Sequence, residues 1–189
     1  MSYLRRVPMD ESTYPPFVDI KRDYGFVPNF WKAQTIRPEL IEAEMVMVKS
    51  ILIDEKALTR RQKEYIFLVC SAANLSTYCV TAHCEIIRML GIEGPEPEQV
   101  AIDHTATRLP VVDKALLNFA LKLNREGSNI AVHDIEALRT YGFSDAEILE
   151  TILIVGLAQF ANVVSFGLGT LPDFENAKLA LGRARGEGH

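Results

Sequence analysis

The chain has 189 residues, of which 48% are apolar and 24% are charged; this is typical of a soluble globular protein with one sizeable core. The net charge is −5 and the lysines and arginines form no basic stripe, so the sequence lacks the electrostatic signature of nucleic-acid binding. The three cysteines show no disulfide framework, and no apolar signal segment is visible near the amino terminus. A reducing cytoplasm is therefore the expected location.

Residues 1–28 are rich in proline and in charged side chains. This composition predicts an extended amino-terminal arm with at most short turns. Residues 29–185 are expected to form one helical domain. Its first helix is predicted from about Arg37, because Pro38 suits a first helical turn and apolar residues then recur at spacings of three and four.

Two of the following helices begin with capping signals. Thr59 and Gln62 fit a capping box, and that helix is expected to end near Asn74. Ser76 is a good N-cap for the next helix, which is predicted to stop at Gly91.

The remaining helices are predicted at short intervals along the chain. They are expected over residues 97–103, over 113–125 with Asp113 as its cap, over 133–142, from a capping box at Ser144, and over 174–183, before a frayed tail at 186–189. No segment alternates with a period of two between hairpin turns, so the predicted fold class is all-α.

The stretch from 151 to 172 carries no charge and is long enough to span a bilayer. It nevertheless contains Gln159, Asn162 and Ser165, and a capping signal precedes it. These features favour a buried core helix or a subunit-interface helix in a homo-oligomer over a membrane span. Asn162 in particular is expected to hydrogen-bond between helices.

The segment that begins at Ser76 carries the candidate chemistry. Cys79 is predicted in the first turn of its helix, where unpaired N–H groups and the helix dipole favour a thiolate. His83 lies four residues later, on the same helix face, from where it can exchange a proton with the thiol. No set of cysteines and histidines has the spacing of a zinc site, and no metal or organic cofactor is indicated.

The residues around this pair allow more than one interpretation. If the two helices form an antiparallel hairpin, the carboxylate of Glu64 approaches His83 and orients or deprotonates it; otherwise Glu64 is a solvated surface charge. The Ser76 hydroxyl is expected to cap the helix and can also donate a hydrogen bond to the Cys79 sulfur. Cys70 and Cys84 are expected to be buried, which argues against a redox role.

At these residues the chain resembles the carboxymuconolactone decarboxylase and alkylhydroperoxidase D superfamily, and within it a group of peroxidase-related proteins. The family signature is a Glu, eleven residues, and then C-x-x-C-x-x-x-H. Glu64, Ser76, Cys79 and His83 fall at that spacing. Flanking sequence such as YGFVPN and GFSD is also similar, and the resemblance extends from about residue 20 to 174.

The resemblance implies an all-helical fold that assembles into homo-oligomers and a thiol peroxidase acting on a small-molecule peroxide. It implies that Cys79 attacks the peroxide and that Glu64 and His83 relay the proton. The family's first cysteine resolves the resulting sulfenic acid, but Ser76 occupies that position here, so another thiol must resolve it: an external thiol reductant or, as the alternative, Cys70 or Cys84. Either the enzyme is a one-cysteine variant, or peroxidase activity is lost, or Ser76 replaces a native cysteine.

Two other functional hypotheses remain open at the level of sequence. In the first, a carboxymuconolactone decarboxylase-like enzyme uses Glu64 and His83 for acid–base chemistry, and the thiol is incidental. In the second, the protein is a non-catalytic helical oligomer in which Cys79 is unreactive.

Overall fold

The computed structural model describes residues 2–174. Every regular element among them is helical, which confirms the all-α prediction. Of the last predicted helix only Phe174 lies within the described residues, and the tail lies outside them. The helices are α1 (Pro15–Tyr24), α2 (Asn29–Lys32), α3 (Pro38–Val48) with a π-helical extension (Lys49–Ile53), α4 (Arg60–Ala73), α5 (Thr77–Met89), α6 (Pro97–Asp103), α7 (Val111–Glu126), α8 (Val132–Thr140) and α9 (Asp145–Leu168).

The composition of residues 1–28 predicts an extended arm, and this prediction is wrong for the part of the arm that forms α1. Pro15 lies in the first turn of α1, where the missing N–H costs nothing, and Gly25 ends the helix with a left-handed φ of 80°. Phe17 is buried against Trp31 and Ile41 in a small second core. The proline-rich composition therefore gave no sign of this amphipathic helix, which is stabilised by tertiary packing.

Helix α4 is the central element of the fold and contacts α5, α6, α7 and α9. Its predicted capping box is present: the Gln62 N–H donates to Thr59 Oγ1, and the Thr59 N–H donates to Gln62 Oε1. Ile66 and Leu68 are fully buried on different sides of the helix. Because helices cover α4 on several sides, its side chains are held in fixed positions.

Asp113 differs from the sequence prediction. Helix α7 begins at Val111, so Asp113 lies inside its first turn and does not cap it. The Asp113 carboxylate is buried and instead accepts hydrogen bonds from Arg61 and Gln62 of α4, each at 3.0 Å. The acidic residue thus joins two helices instead of starting one.

Helix α9 is the long apolar helix predicted after Ser144, whose capping box is formed. By length and composition it could cross a membrane, and 44% of its most apolar 18-residue window is buried. A core helix of a soluble protein meets the same criteria, and α9 packs against α4, α5, α7 and α8. A subunit interface on its outer face stays a prediction; the exposed apolar side chains there include Leu149, Leu153, Phe160, Val163 and Phe166.

Lys63 ties α4 to two other segments. Its side chain is fully buried, and Nζ donates to the carbonyl oxygens of Ile51 at 3.0 Å and Asp54 at 2.7 Å. Nζ also pairs with Glu150 Oε2 of α9 at 3.1 Å. These contacts fix the end of the π-helical extension against the start of α4, one residue before Glu64.

We expect Lys63→Met to lower the free energy of unfolding by about 2–4 kcal/mol, because Glu150 and two carbonyl oxygens would lose their shared donor. Urea denaturation followed by circular dichroism measures this change. Lys56→Met is the matched control at an exposed lysine and should change the value by less than about 0.5 kcal/mol. Equal stabilities of the two variants would contradict the assigned role of Lys63.

Candidate active site

A tight turn between α4 and α5 positions the segment that carries the chemistry. Leu75 adopts a left-handed backbone with φ of 59°, which residues with a side chain seldom do. The Ser76 N–H then donates to the Ser71 carbonyl at 2.9 Å. This turn makes Ser76 the N-cap of α5 and places Cys79 at its third position, as predicted.

Glu64 and His83 meet across the α4–α5 hairpin. Glu64 Oε2 lies 2.6 Å from His83 Nδ1, and Glu64 is completely buried. The interpretation of Glu64 as a solvated surface charge is therefore wrong. The His83 ring also stacks on Phe67, with 3.9 Å between ring centroids, so the imidazole is held by a hydrogen bond and by an aromatic face.

Arg60 is a neighbour of this pair that the sequence reasoning missed. Its guanidinium lies 2.6 Å from Glu64 Oε1, on the carboxylate oxygen that His83 does not use. Burial alone would raise the pKa of Glu64, but His83 and Arg60 together hold it below its ordinary value. The i, i+4 spacing of an arginine and a glutamate was the available signal, and it is common on exposed helix faces.

The ionised carboxylate of Glu64 determines which ring nitrogen of His83 carries hydrogen. A carboxylate can only accept a hydrogen bond, so Nδ1 must be the donor. In the neutral ring the lone pair then lies on Nε2. Nε2 has no hydrogen-bond partner among the described residues, which leaves it available to act as a base.

The sulfur of Cys79 is buried, and burial raises the pKa of the thiol. The polar side chains of Ser76, Ser165 and Asn162 lie near the sulfur and offset part of this rise. No hydrogen bond links the sulfur to the His83 ring in the part of the chain that the structure describes. The resting side chain is therefore a thiol, and the expectation of a thiolate stabilised by the helix start is not met.

Hydroxyl groups surround this sulfur. Ser165 Oγ of α9 lies 3.6 Å from Cys79 Sγ. Ser76 makes no side-chain capping bond, contrary to prediction, and its buried Oγ has no partner of good hydrogen-bond geometry. It lies close enough to the sulfur to favour the charged form. Ser165 was also missed, although a serine within a long apolar helix is a signal for a buried polar contact.

The other two cysteines are placed differently. Cys70 and Cys84 are both buried, and burial raises the pKa of each thiol to about 12. All three cysteines are free thiols. Neither Cys70 nor Cys84 has the low pKa or the exposure of a reactive cysteine.

Asn162 makes the predicted interhelical hydrogen bonds. Its Nδ2 donates to Ser71 Oγ at 3.0 Å, and its Oδ1 accepts from Asn74 Nδ2 at 2.9 Å. Asn74 also exchanges hydrogen bonds with Asn124 of α7. This buried network fixes the end of α4, and with it the turn that leads to Cys79.

Cys79 and His83 open on one large cavity of about 910 Å³. Its size lies within the range of small-molecule binding sites. Aromatic side chains line much of it, including Phe26, Phe30, Trp31, Phe67, Phe160 and Phe174. No group of three or more His, Cys, Asp or Glu side chains that could hold a metal ion occurs within residues 2–174.

Tyr78, the residue before Cys79, lines this cavity and holds two other chain segments beside it. The Tyr78 hydroxyl donates to Asp173 Oδ2 at 2.7 Å and accepts from the Phe30 N–H at 3.0 Å. Asp173 Oδ1 in turn accepts from the Asn29 N–H at 2.7 Å. Tyr78 thus anchors the start of α2 and the segment after α9 beside the site.

The fold of this chain occurs in several solved structures, whereas no protein-family model and no curated protein matches its sequence. One is an alkylhydroperoxidase AhpD core, an uncharacterised peroxidase-related protein from Ralstonia eutropha; it is 26% identical with a TM-score of 0.84, over 92% of this chain and 93% of that one. A second is an uncharacterised peroxidase-related protein from a Silicibacter species, 27% identical with a TM-score of 0.82, over 91% and 90% of the two chains.

These two structures define the class of the fold: the chain is an alkylhydroperoxidase D-like helical protein similar to the peroxidase-related group. The resemblance seen in the sequence is confirmed. The debrominase Bmp8, solved in complex with 2,3,4-tribromopyrrole, has the same fold, with 18% identity and a TM-score of 0.77 over 90% of this chain and 93% of that one. At that identity the likeness concerns the fold alone.

The rate of Cys79 alkylation by iodoacetamide should rise with pH and should still be rising at pH 9, because burial raises the pKa of this thiol above its ordinary value. Peptide mass spectrometry after timed labelling measures the rate at each pH. Ser165→Ala should lower the rate at a given pH, since the thiolate would lose a hydrogen-bond donor. A plateau below about pH 8 would show that the sulfur is ionised more easily than its burial indicates.

Proposed function

We propose that the protein is a thiol-dependent peroxidase in which Cys79 reduces an organic hydroperoxide or hydrogen peroxide. The observation that carries this proposal is that Cys79 and the Glu64-bound His83 line the same cavity. The two similar peroxidase-related structures support the class of enzyme. The chemistry needs a nucleophilic sulfur, a base for its proton and room for the substrate, and these three features adjoin one another.

In the first step the Cys79 proton passes to His83 Nε2, directly or through a water molecule in the cavity. The thiolate attacks the terminal, hydrogen-bearing peroxide oxygen, a bond forms between sulfur and that oxygen, and the O–O bond breaks. Cys79 becomes a sulfenic acid, and the alkoxide or hydroxide takes the proton from His83 to leave as an alcohol or water. The sulfur is oxidised by two electrons and the peroxide is reduced by two.

The sulfenic acid is then resolved by an external thiol. The first thiol displaces water and forms a mixed disulfide with Cys79; a second thiol releases Cys79 and leaves as a disulfide. Two features support this route over an internal one. Ser76 cannot form a disulfide, and Cys70 and Cys84 are buried with a thiol pKa of about 12. The cavity gives a small thiol access to the sulfur.

After one equivalent of cumene hydroperoxide, we expect dimedone to label Cys79 and no other cysteine, because only Cys79 among the three lines the cavity. Intact-protein and peptide mass spectrometry locate the label. Cys79→Ala should abolish peroxide consumption, and Glu64→Gln should slow it by about ten-fold or more, within the usual range for loss of acid–base assistance. A Cys79 that stays unlabelled while the protein remains folded would refute the peroxidase proposal.

One observation favours a second candidate, an acid–base enzyme of the carboxymuconolactone decarboxylase type. Glu64 and His83 form a well-defined pair, whereas Cys79 is protonated at rest and has no hydrogen bond to the ring. In that enzyme the sulfur takes no part in the reaction. Turnover of a carboxylated lactone that survives Cys79→Ala, with no peroxide consumption by the unaltered protein, would select this candidate.

Ser76→Cys should convert the protein into a two-cysteine enzyme, because the N-cap and third positions of α5 place the two sulfurs as in a C-x-x-C motif. After peroxide treatment the variant should lose two hydrogen atoms in mass by forming a disulfide, whereas the unaltered protein should gain one oxygen atom. Ser165→Cys is the matched control: it also places a thiol beside Cys79, but from α9 and outside the C-x-x-C motif. A Ser76→Cys variant that keeps the sulfenic acid would show that its two sulfurs cannot meet.

A further inference from the structure

Arg60 forms a largely buried ion pair with Glu64, unlike the solvent-exposed ion pairs that are common on helix surfaces. It begins α4, and its guanidinium contacts Glu64 Oε1 through Nη2 at 2.6 Å and Nε at 2.7 Å. Only 15% of its side chain is exposed, against 0% for Glu64. The two carboxylate oxygens are therefore divided between two partners: Arg60 binds Oε1 and His83 faces Oε2.

This division matters because a buried carboxylate without a positive partner is costly. If His83 were the sole partner of Glu64, loss of the imidazole proton would leave an unpaired buried negative charge. The pair would then retain one proton, on either the carboxylate or the ring, over a wider range of pH. Arginine stays charged throughout, so Arg60 keeps Glu64 paired when His83 is neutral.

We propose that Arg60 is a positioning residue that holds Glu64 ionised whatever the charge on His83. Glu64 then always accepts the Nδ1 hydrogen, and the imidazole takes up and releases its proton at Nε2. The catalytic consequence rests on the peroxidase function proposed above, whereas the effect on ionisation does not. Arg60 contacts Glu64 and is not among the residues that line the cavity, so it acts through that carboxylate.

Other charged or titratable groups surround the pair. Tyr24 of α1 is close enough to interact with both Arg60 and Glu64, and Cys79 faces the cavity from α5. Lys63, the residue before Glu64 on α4, is neutralised by Glu150 of α9. The part of α9 that lines the cavity contributes no charged residue. Further charged residues lining the cavity are Asp19, Arg22, Asp23, Glu42, Glu44, Lys49 and Asp173.

The test compares Arg60→Met, Arg60→Lys and Arg61→Met. Arg61 is the matched control because it occupies the same helical turn but pairs with Asp113. Nitrogen-15 NMR follows the histidine side chains against pH, and the His83 signal is identified by its loss in His83→Gln. Removing a positive charge from beside the pair makes proton release harder, so Arg60→Met should raise the titration midpoint of the His83 signal by about one pH unit.

Arg60→Lys should restore most of the shift, and Arg61→Met should leave the midpoint unchanged. In Arg60→Met, the acid limb of the pH profile of peroxide consumption should shift to higher pH together with the NMR midpoint. In a Glu64→Gln background Arg60→Met should have no further effect on the rate, because Arg60 acts through the Glu64 carboxylate. A merely structural role would lower the melting temperature without moving the midpoint.

The inference is overturned if the His83 midpoint is the same in Arg60→Met and in the unaltered protein, or if Arg61→Met shifts it equally. It is also overturned if the rate effects of Arg60→Met and Glu64→Gln multiply. A protein that shows the NMR shift but consumes no peroxide would refute the peroxidase proposal and leave the role of Arg60 intact. A protein that consumes peroxide but shows no NMR shift in Arg60→Met would support the peroxidase proposal and refute the role of Arg60.

Discussion

The hydrogen bond between Glu64 and His83 is the interaction on which the site depends. It crosses from α4 to α5 and lies inside the bundle, where a carboxylate is tolerated only with compensating charges and donors. That requirement constrains its surroundings. Arg60, one turn earlier on the same helix, supplies a compensating charge, and Phe67 stacks on the imidazole. The position and orientation of the base are consequences of satisfying one buried acid.

The sulfur and the base have contrasting environments within a single cavity. Cys79 is enclosed, with Ser165 within contact distance, and desolvation keeps it a thiol at rest. The charge is kept instead on the Arg60–Glu64 side, where donors stabilise it. In the proposed peroxidase, reactivity at Cys79 depends on moving a proton toward His83 during the attack. This arrangement limits oxidation of the sulfur by reagents that do not enter the cavity.

The absence of a second thiol beside Cys79 decides how a catalytic cycle must close. Ser76 supplies a hydroxyl at the position of the usual resolving cysteine, and a hydroxyl can hydrogen-bond to sulfur but cannot form a disulfide. Cys70 and Cys84 are buried and are not among the residues that line the cavity. A cycle through Cys79 thus requires a reductant from solution, and the aromatic cavity is where it would meet the sulfur.

The sequence by itself determined the helical class and most helix boundaries, and its resemblance to a known motif implied, without deciding, the pairing of Glu64 with His83. Capping boxes and apolar periodicity are local signals, and a motif with fixed spacing on a two-helix hairpin leaves few alternative arrangements. Only the tertiary structure decided the rest: that the arm contains a helix, that Arg60 supports the carboxylate, and that Cys79 is protonated. Helix α1 depends on packing against Trp31, and the state of the thiol depends on how completely distant segments such as α9 exclude water. Desolvation is a property of the assembled fold, and no local stretch of sequence encodes it.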